Sequence, residues 1–192
     1  MPFITPYDKG RGGQILAFII ICVIFATTHM MKKREKRLIG RSDKADFPQL
    51  DLNNIDVKID TGAYSGAIHC EHIEEIEDCG KRKIRFRLLD KTHPEYNHKI
   101  FEYSNYRQKR VKNSFGVSEK RYVIESLIVL FGEAFLTEFT LSERGEMKYP
   151  VLVGRKLLNR NFIVDTAKTN ISFKQKTKQQ QLNENSNPVP QF

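Results

Sequence analysis

The sequence predicts a mainly β fold, a closed or sandwiched set of short strands with one short helix, over residues 38–173. Three observations predict it. Short runs rich in β-branched and aromatic residues recur through this region, most of them bounded by polar or glycine-bearing turns. Only Arg155–Arg160 (RKLLNR) has a helical look, and it is one to two turns long. Many short strands in so short a region favour a β-closed architecture over alternating βαβ units.

The elements follow in order. Ile55–Ile59, Lys83–Leu89, Tyr122–Leu130, Phe135–Leu141 and Val151–Val153 read as strands, and Asn161–Asp165 and Asn170–Phe173 as two more. Arg107–Lys112 and Arg121–Leu130 flank the turn Asn113–Val117, whose tip Ser114, Phe115 and Gly116 suits a hairpin covering a cleft as well as it suits an ordinary surface hairpin. The bases of this hairpin, Arg107, Lys109, Arg110, Lys112, Lys120 and Arg121, suit an acidic peptide or simply a solvated edge.

The ends differ from the middle. Residues 12–31 carry no charge and, as a helix, would rise about 30 Å, one hydrocarbon thickness. The basic run 32–37 (KKREKR) follows, which orients such an anchor with residues 38–173 in the cytoplasm. A cleaved signal peptide fits less well, because Ala26-Thr27-Thr28 makes a poor cleavage site. A start at Met30 or Met31 would instead leave a plain cytoplasmic protein. Residues 174–192, dominated by Gln, Asn and Lys with two prolines, predict a disordered tail.

Across its 192 residues the chain has 32 Lys and Arg against 23 Asp and Glu, a net charge of +9 that favours acidic partners. Nucleic acid is disfavoured among these, since neither an interleaved aromatic stacking motif nor a helix-turn-helix is present. Three cysteines, Cys22, Cys70 and Cys79, form no disulfide framework, although Cys70 and Cys79 stay open to pairing.

The stretch VKIDTGAYSGAI, residues 57–68, carries the chemistry. An apolar strand runs into Asp60, and Thr61, Gly62 and Ala63 turn the chain behind it. Glycine permits a tight turn that brings backbone N–H groups to the carboxylate. Two such loops face to face hold two aspartates close enough to share one proton and activate a water between them. A bare Asp-Thr-Gly is more often an ordinary turn after a strand. Phe162-Ile-Val-Asp-Thr-Ala167 nearly repeats the motif, so Asp165 is an internal competitor for the second carboxylate, but Ala167 lacks the backbone freedom of glycine.

A second segment, Tyr149–Arg160 (YPVLVGRKLLNR), follows an apolar strand with Gly154, Arg155 and a short helix. Together the two segments resemble the retropepsin-like aspartic proteases. The likeness is closer to one cellular branch, named ATP-dependent zinc proteases and also described as retropepsin-like aspartic endopeptidases. It rests on Ile39-Gly-Arg41, Phe47–Leu50, Ile55–Ser65, Arg110–Gly116, Arg121–Ile124, Leu141–Arg144, Met147–Arg155 and Phe162–Asp165, in that order. The resemblance implies a retropepsin-like closed β-barrel and a homodimer in which each chain supplies one catalytic Asp60. In it Thr61, Gly62 and Ala63 shape the loop, and Gly154 and Arg155 support it. It further implies a peptide substrate, acidic or glutamate-rich, and a link to an ATP-grasp glutamate ligase. A catalytically inactive peptide-binding module on the same fold is the alternative from another class.

The family name raises zinc. His69 and His72, in His69-Cys-Glu-His72, form the densest set of possible ligands, yet neither His-Glu-x-x-His nor Cys-x-x-Cys occurs. On a strand the two histidines point to opposite faces, so a zinc-dependent peptidase would need a turn or helix there. No phosphate-binding Gly-x-x-x-x-Gly-Lys-Ser/Thr loop is present either, which assigns any ATP dependence to a partner. The expectation is therefore a chain without a cofactor of its own.

Overall fold

Alternation of buried and half-exposed residues organises the chain. In β3 (Leu52–Ile59) the side chains of Ile55, Val57 and Ile59 are buried while Asp56 and Lys58 face outward, the two-residue period of a strand with one face on a core. The computed structural model describes residues 35–112, 118–143 and 148–186. Before β3 come β1 (Arg37–Gly40), β2 (Ser42–Phe47) and a 3₁₀ turn at Pro48–Leu50. After it come β4 (Gly66–Asp78), β5 (Lys81–Leu88), β6 (Ile100–Tyr103), β7 (Tyr106–Lys112), β8 (Ser118–Leu130), β9 (Glu133–Ser142) and β10 (Val151–Val153). Helix α1 (Arg155–Asn161), strand β11 (Phe162–Asp165) and helix α2 (Ile171–Ser186) complete the described chain.

Strand β10 organises the pairing. It lies parallel to β3, with Val153 opposite Ile59, and antiparallel to β4, with Val151 opposite Ile68. From β3 the ladder passes through β2, β8, β9 and β4, which brings it back to β10. The inward residues of these strands, including Phe47, Ile55, Val57, Ile68, Ile128, Phe139 and Val151, form one buried cluster, with the Phe47 and Phe139 rings edge-on at 5.6 Å. Strands β5 and β6 extend the sheet beyond β4, and β7 pairs with β8. Strands β1 and β11 form a separate parallel pair in which Leu38 lies opposite Ile163.

The C-terminal segment departs from the sequence reading. Of residues 170–173, expected as a strand, Ile171–Phe173 form the start of α2, and the expected disordered tail is helical through Ser186. The cause lies far away in sequence. Asp43, fully buried on β2, accepts the Ser172 N–H at 2.8 Å and the Phe173 N–H at 3.0 Å, satisfying the first amides of α2 as a cap would. The Lys176 ammonium then donates to Asp46 Oδ2 at 2.7 Å and Asn54 Oδ1 at 2.9 Å. Once the first turn is held, a run of Gln and Lys continues a helix readily.

The apolar run expected as an anchor, residues 12–31, lies outside the described residues, as does the hairpin tip at Ser114, Phe115 and Gly116. Among the described residues no helix is long and apolar enough to cross a membrane.

Candidate active site

Strand β3 delivers Asp60 to its C-terminal end. The Asp60 N–H donates to Val153 O of β10 at 3.0 Å, so the parallel β3–β10 pairing fixes the backbone at the moment the chain turns. The carboxylate then organises the turn: Oδ1 accepts the Gly62 N–H at 2.9 Å and the Ala63 N–H at 3.1 Å. Both bonds end on the same oxygen, so they hold Oδ1 against the turn. Among the described residues no donor meets Oδ2. Asp60 is half-buried, whereas Thr61 and Gly62 are exposed.

Gly154 and α1 hold the far side of this loop through the backbone. Arg155 N–H donates to Ala63 O at 2.9 Å and Lys156 N–H to Tyr64 O at 2.8 Å. The close approach needs a residue without a side chain at 154, since a Cβ there would stand 2.5 Å from Ser65 O and 2.8 Å from Tyr64 O. Gly154 and Arg155 lie beside the loop, and Arg155 reaches it with its amide, leaving the guanidinium side chain exposed. Beside the loop lies a cleft of about 590 Å³, lined in part by Tyr64, Leu136, Arg155, Lys156 and Arg160.

Strand β7 leans on the same loop. Lys109 Nζ donates to Ser65 Oγ at 3.2 Å and sits 5.3 Å from the centre of the Tyr64 ring. Two residues earlier Arg107 pairs with Glu138 of β9, which also binds the Lys156 ammonium. Burial works to raise the Glu138 carboxyl, but the bonded Lys156 and the charges of Arg107 and Lys109 outweigh it and hold the group below the ordinary carboxylate range. Glu138 escaped sequence reasoning. Its one signal is a charge in the middle of an otherwise uncharged stretch, Ala134–Ser142 (AFLTEFTLS).

Asp165 has other work. Its Oδ1 accepts the Ala167 N–H at 3.0 Å and its Oδ2 lies 3.1 Å from Lys168 Nζ, so both oxygens serve a turn behind the β1–β11 pair. The Lys168 bond holds its carboxyl below the ordinary range.

The suggested zinc ligands do not converge. His69 is buried on β4, its Nε2 3.2 Å from Asp90 Oδ2, while His72 sits exposed on a bulge with φ 54°, its Nε2 4.0 Å from Glu71. Cys70, between strand neighbours, is buried, and burial pushes its thiol up to about 12. A zinc ligand must be deprotonated and share one point with the others, and these side chains do not fit that requirement. Among the described residues no group of three His, Cys, Asp or Glu gathers to hold a metal. Cys70 and Cys79 are both free thiols, so the pairing left open does not form.

Known proteins are similar to this chain. Residues 38–175 match the family described as retropepsin-like aspartic endopeptidase RimB. Over 138 residues, 70% of this chain, the sequence is 35% identical to a probable alpha-L-glutamate ligase of Shewanella pealeana and, over the same length, 34% identical to one of Shewanella halifaxensis. The match takes in only 29% of each ligase, so the chain corresponds to a fraction of those longer proteins. A crystal structure of a protein of unknown function from Legionella pneumophila superposes with a TM-score of 0.54 at 29% identity, covering 72% of this chain and 99% of that one. The chain belongs to the family of the retropepsin-like aspartic endopeptidase RimB.

Proposed function

We propose that the chain is an aspartic endopeptidase working as a homodimer, each copy contributing one Asp60, with the ring of six paired strands as its closed barrel. The observation that carries this reading is the Asp60 loop: a carboxylate at a strand end, one oxygen fixed by two backbone amides, and the loop locked by β10 and the start of α1. Asp165 is committed to Ala167 and Lys168, which supports a second copy as the source of the second carboxylate. Strands β1 and β11 offer a surface for that copy, since the opposed residues Leu38 and Ile163 are 40% and 56% exposed.

In the dimer the two Asp60 carboxyls share one proton. The ionised one takes a proton from a water held between them as the water oxygen bonds to the peptide carbonyl carbon. The protonated one donates to the carbonyl oxygen, giving a neutral diol. The carboxyl now protonated gives its proton to the amide nitrogen, a diol hydroxyl gives its proton to the other carboxylate, and the C–N bond breaks, leaving an acid, an amine and the pair with its single shared proton. The chain's own residues supply every step, without a cofactor.

An acidic substrate suits the site: Arg155, Lys156 and Arg160 line the neighbouring cleft, and the chain carries a net +9. The relatives named glutamate ligases hold a segment like this one inside a longer chain, which supports a functional link to an ATP-dependent enzyme that joins glutamate. A glutamate-rich peptide is then the substrate class.

The test compares the chain with Asp60→Asn on a peptide library that includes polyglutamate-tailed peptides, with and without chelator. The expected result is cleavage lost in the variant and indifferent to chelator. Cleavage that survives Asp60→Asn, or that chelator abolishes, overturns the mechanism. Dimers that bind these peptides without cutting them would make the domain a binding module.

A further inference from the structure

We infer that Glu138 is a positioning residue of this site, a single buried carboxylate that ties the β7–β8 hairpin to α1 and so holds the hairpin against the Asp60 loop. The consequence for turnover rests on the peptidase reading above; the anchoring itself does not.

The hairpin needs an anchor. Residues 123–130 of β8 pair with β9, but residues 118–122 pair only with β7 among the described residues, so this end has a single ladder for support. Two-stranded ribbons of this kind are marginal unless side chains hold them. Strand β7 is held on both faces, in the two-residue period of a strand. Tyr106 Oη and Gln108 Nε2 donate to Glu75 Oε1 of β4, at 3.1 and 2.9 Å. On the opposite face Lys109 meets Ser65 and Tyr64 of the catalytic loop, and Arg107 meets Glu138.

Glu138 joins more of the site than any of these. Its side chain is only 9% exposed, it comes from β9, and it binds Arg107 of β7 and Lys156 of α1 together. Lys156 in turn fixes the loop through its own amide, which donates to Tyr64 O at 2.8 Å. A carboxylate taken out of water is costly unless paired and bonded, and the strand does not require one here. The neighbours on the same face of β9 are Leu136 and Thr140, which carry no charge. The carboxylate also offsets the mutual repulsion of Arg107, Lys109 and Lys156, while Glu125, its exposed register partner on β8, adds a like charge that those cations outweigh. Glu138 therefore gathers cations from two elements that the backbone does not join.

Hydrogen exchange on the full chain tests this directly, using Glu138→Gln, Arg107→Gln and the double variant. Arg107 is 57% exposed on its side chain, so its replacement leaves the fold intact even if Glu138→Gln disturbs it. Each single variant is expected to speed exchange in residues 106–112 and 118–122 about tenfold, with 125–130 unchanged and the double variant no faster than either. On a cleaved peptide the same variants raise KM about fivefold with kcat held, and Glu138→Asp recovers part of the loss. Unchanged exchange in the folded single variants, or additive effects in the double, overturns the inference. A loosened hairpin in a protein whose wild type cleaves nothing supports the anchor and overturns the peptidase reading instead.

Discussion

Replacing Gly154 by alanine isolates the contact that locks the Asp60 loop. The backbone there has φ −89° and ψ 175°, which alanine adopts freely, so any cost comes from the new Cβ and not from conformation. That Cβ would meet Ser65 O at 2.5 Å, Ser65 C at 2.6 Å and Tyr64 O at 2.8 Å, all backbone atoms that cannot rotate away. Ordinary contact begins near 3.4 Å, so the loop and the start of α1 must part by roughly 0.9 Å. Two hydrogen bonds span that gap, Arg155 N–H to Ala63 O and Lys156 N–H to Tyr64 O, at 2.9 and 2.8 Å. Their loss is worth about 1 kcal/mol each and the overpacking about 1–3 kcal/mol, giving roughly 3–5 kcal/mol in all. That is a large share of the ~5–15 kcal/mol that holds a domain together. On the proposed mechanism, the same displacement at Asp60 lowers turnover by about a hundredfold. Urea unfolding measures the stability term through a lower midpoint at constant slope. A Gly154→Ala protein within ~0.5 kcal/mol of wild type would refute the steric argument.

Other consequences are as direct. Asp43→Ala strips two amides of α2 of their acceptor and lowers stability by about 2–4 kcal/mol in urea unfolding, with the first turn of α2 losing exchange protection first. The Glu138 carboxyl is held below its ordinary value of 4.5, so its contribution to stability is complete above that pH and is lost as pH falls through the depressed folded value. Unfolding of wild type and Glu138→Gln from neutral to acidic pH therefore shows a stability gap that closes on acidification; a gap constant with pH contradicts the assignment. In peptide mapping after alkylation at mildly alkaline pH, exposed Cys79 is modified and Cys70, buried with its thiol near 12, is spared.

What the sequence makes legible is local. The run Val57–Ile59 into Asp60, the strand Val151–Val153 and the helix opening at Arg155 all sit where periodicity puts them, because each is apolar on one face and closed by a glycine or a turn. Strand β4 was not legible beyond its neighbours. Its second half, Glu71–Asp78, is mostly charged, and it holds as a strand by pairing with the Lys and Arg residues of β5, Glu74 opposite Arg85 and Glu77 opposite Arg82. Strand β2 (SDKADF) hides its role in the same way, since Asp43 and Asp46 serve α2 more than a hundred residues later. Helix α2 has no apolar stripe to announce it and depends on that distant cap. Of the site, Asp60 and its loop are visible in a contiguous motif. Glu138 is not, and although Arg107 and Lys109 stand out as hairpin bases, their meeting with Glu138 and Ser65 is not legible, because three strands and a helix bring these residues together and no spacing in the chain records it.

In the proposed enzyme two chains build one catalytic centre from a pair of Asp60 carboxylates. Mixing wild-type chains with rising fractions of Asp60→Asn, allowing subunits to exchange and measuring cleavage of one peptide tests it most directly. Activity is expected to follow the square of the wild-type fraction, because a mixed dimer has only one carboxyl to hold and deprotonate the water. Activity that falls in simple proportion to the wild-type fraction, or does not fall, would contradict it.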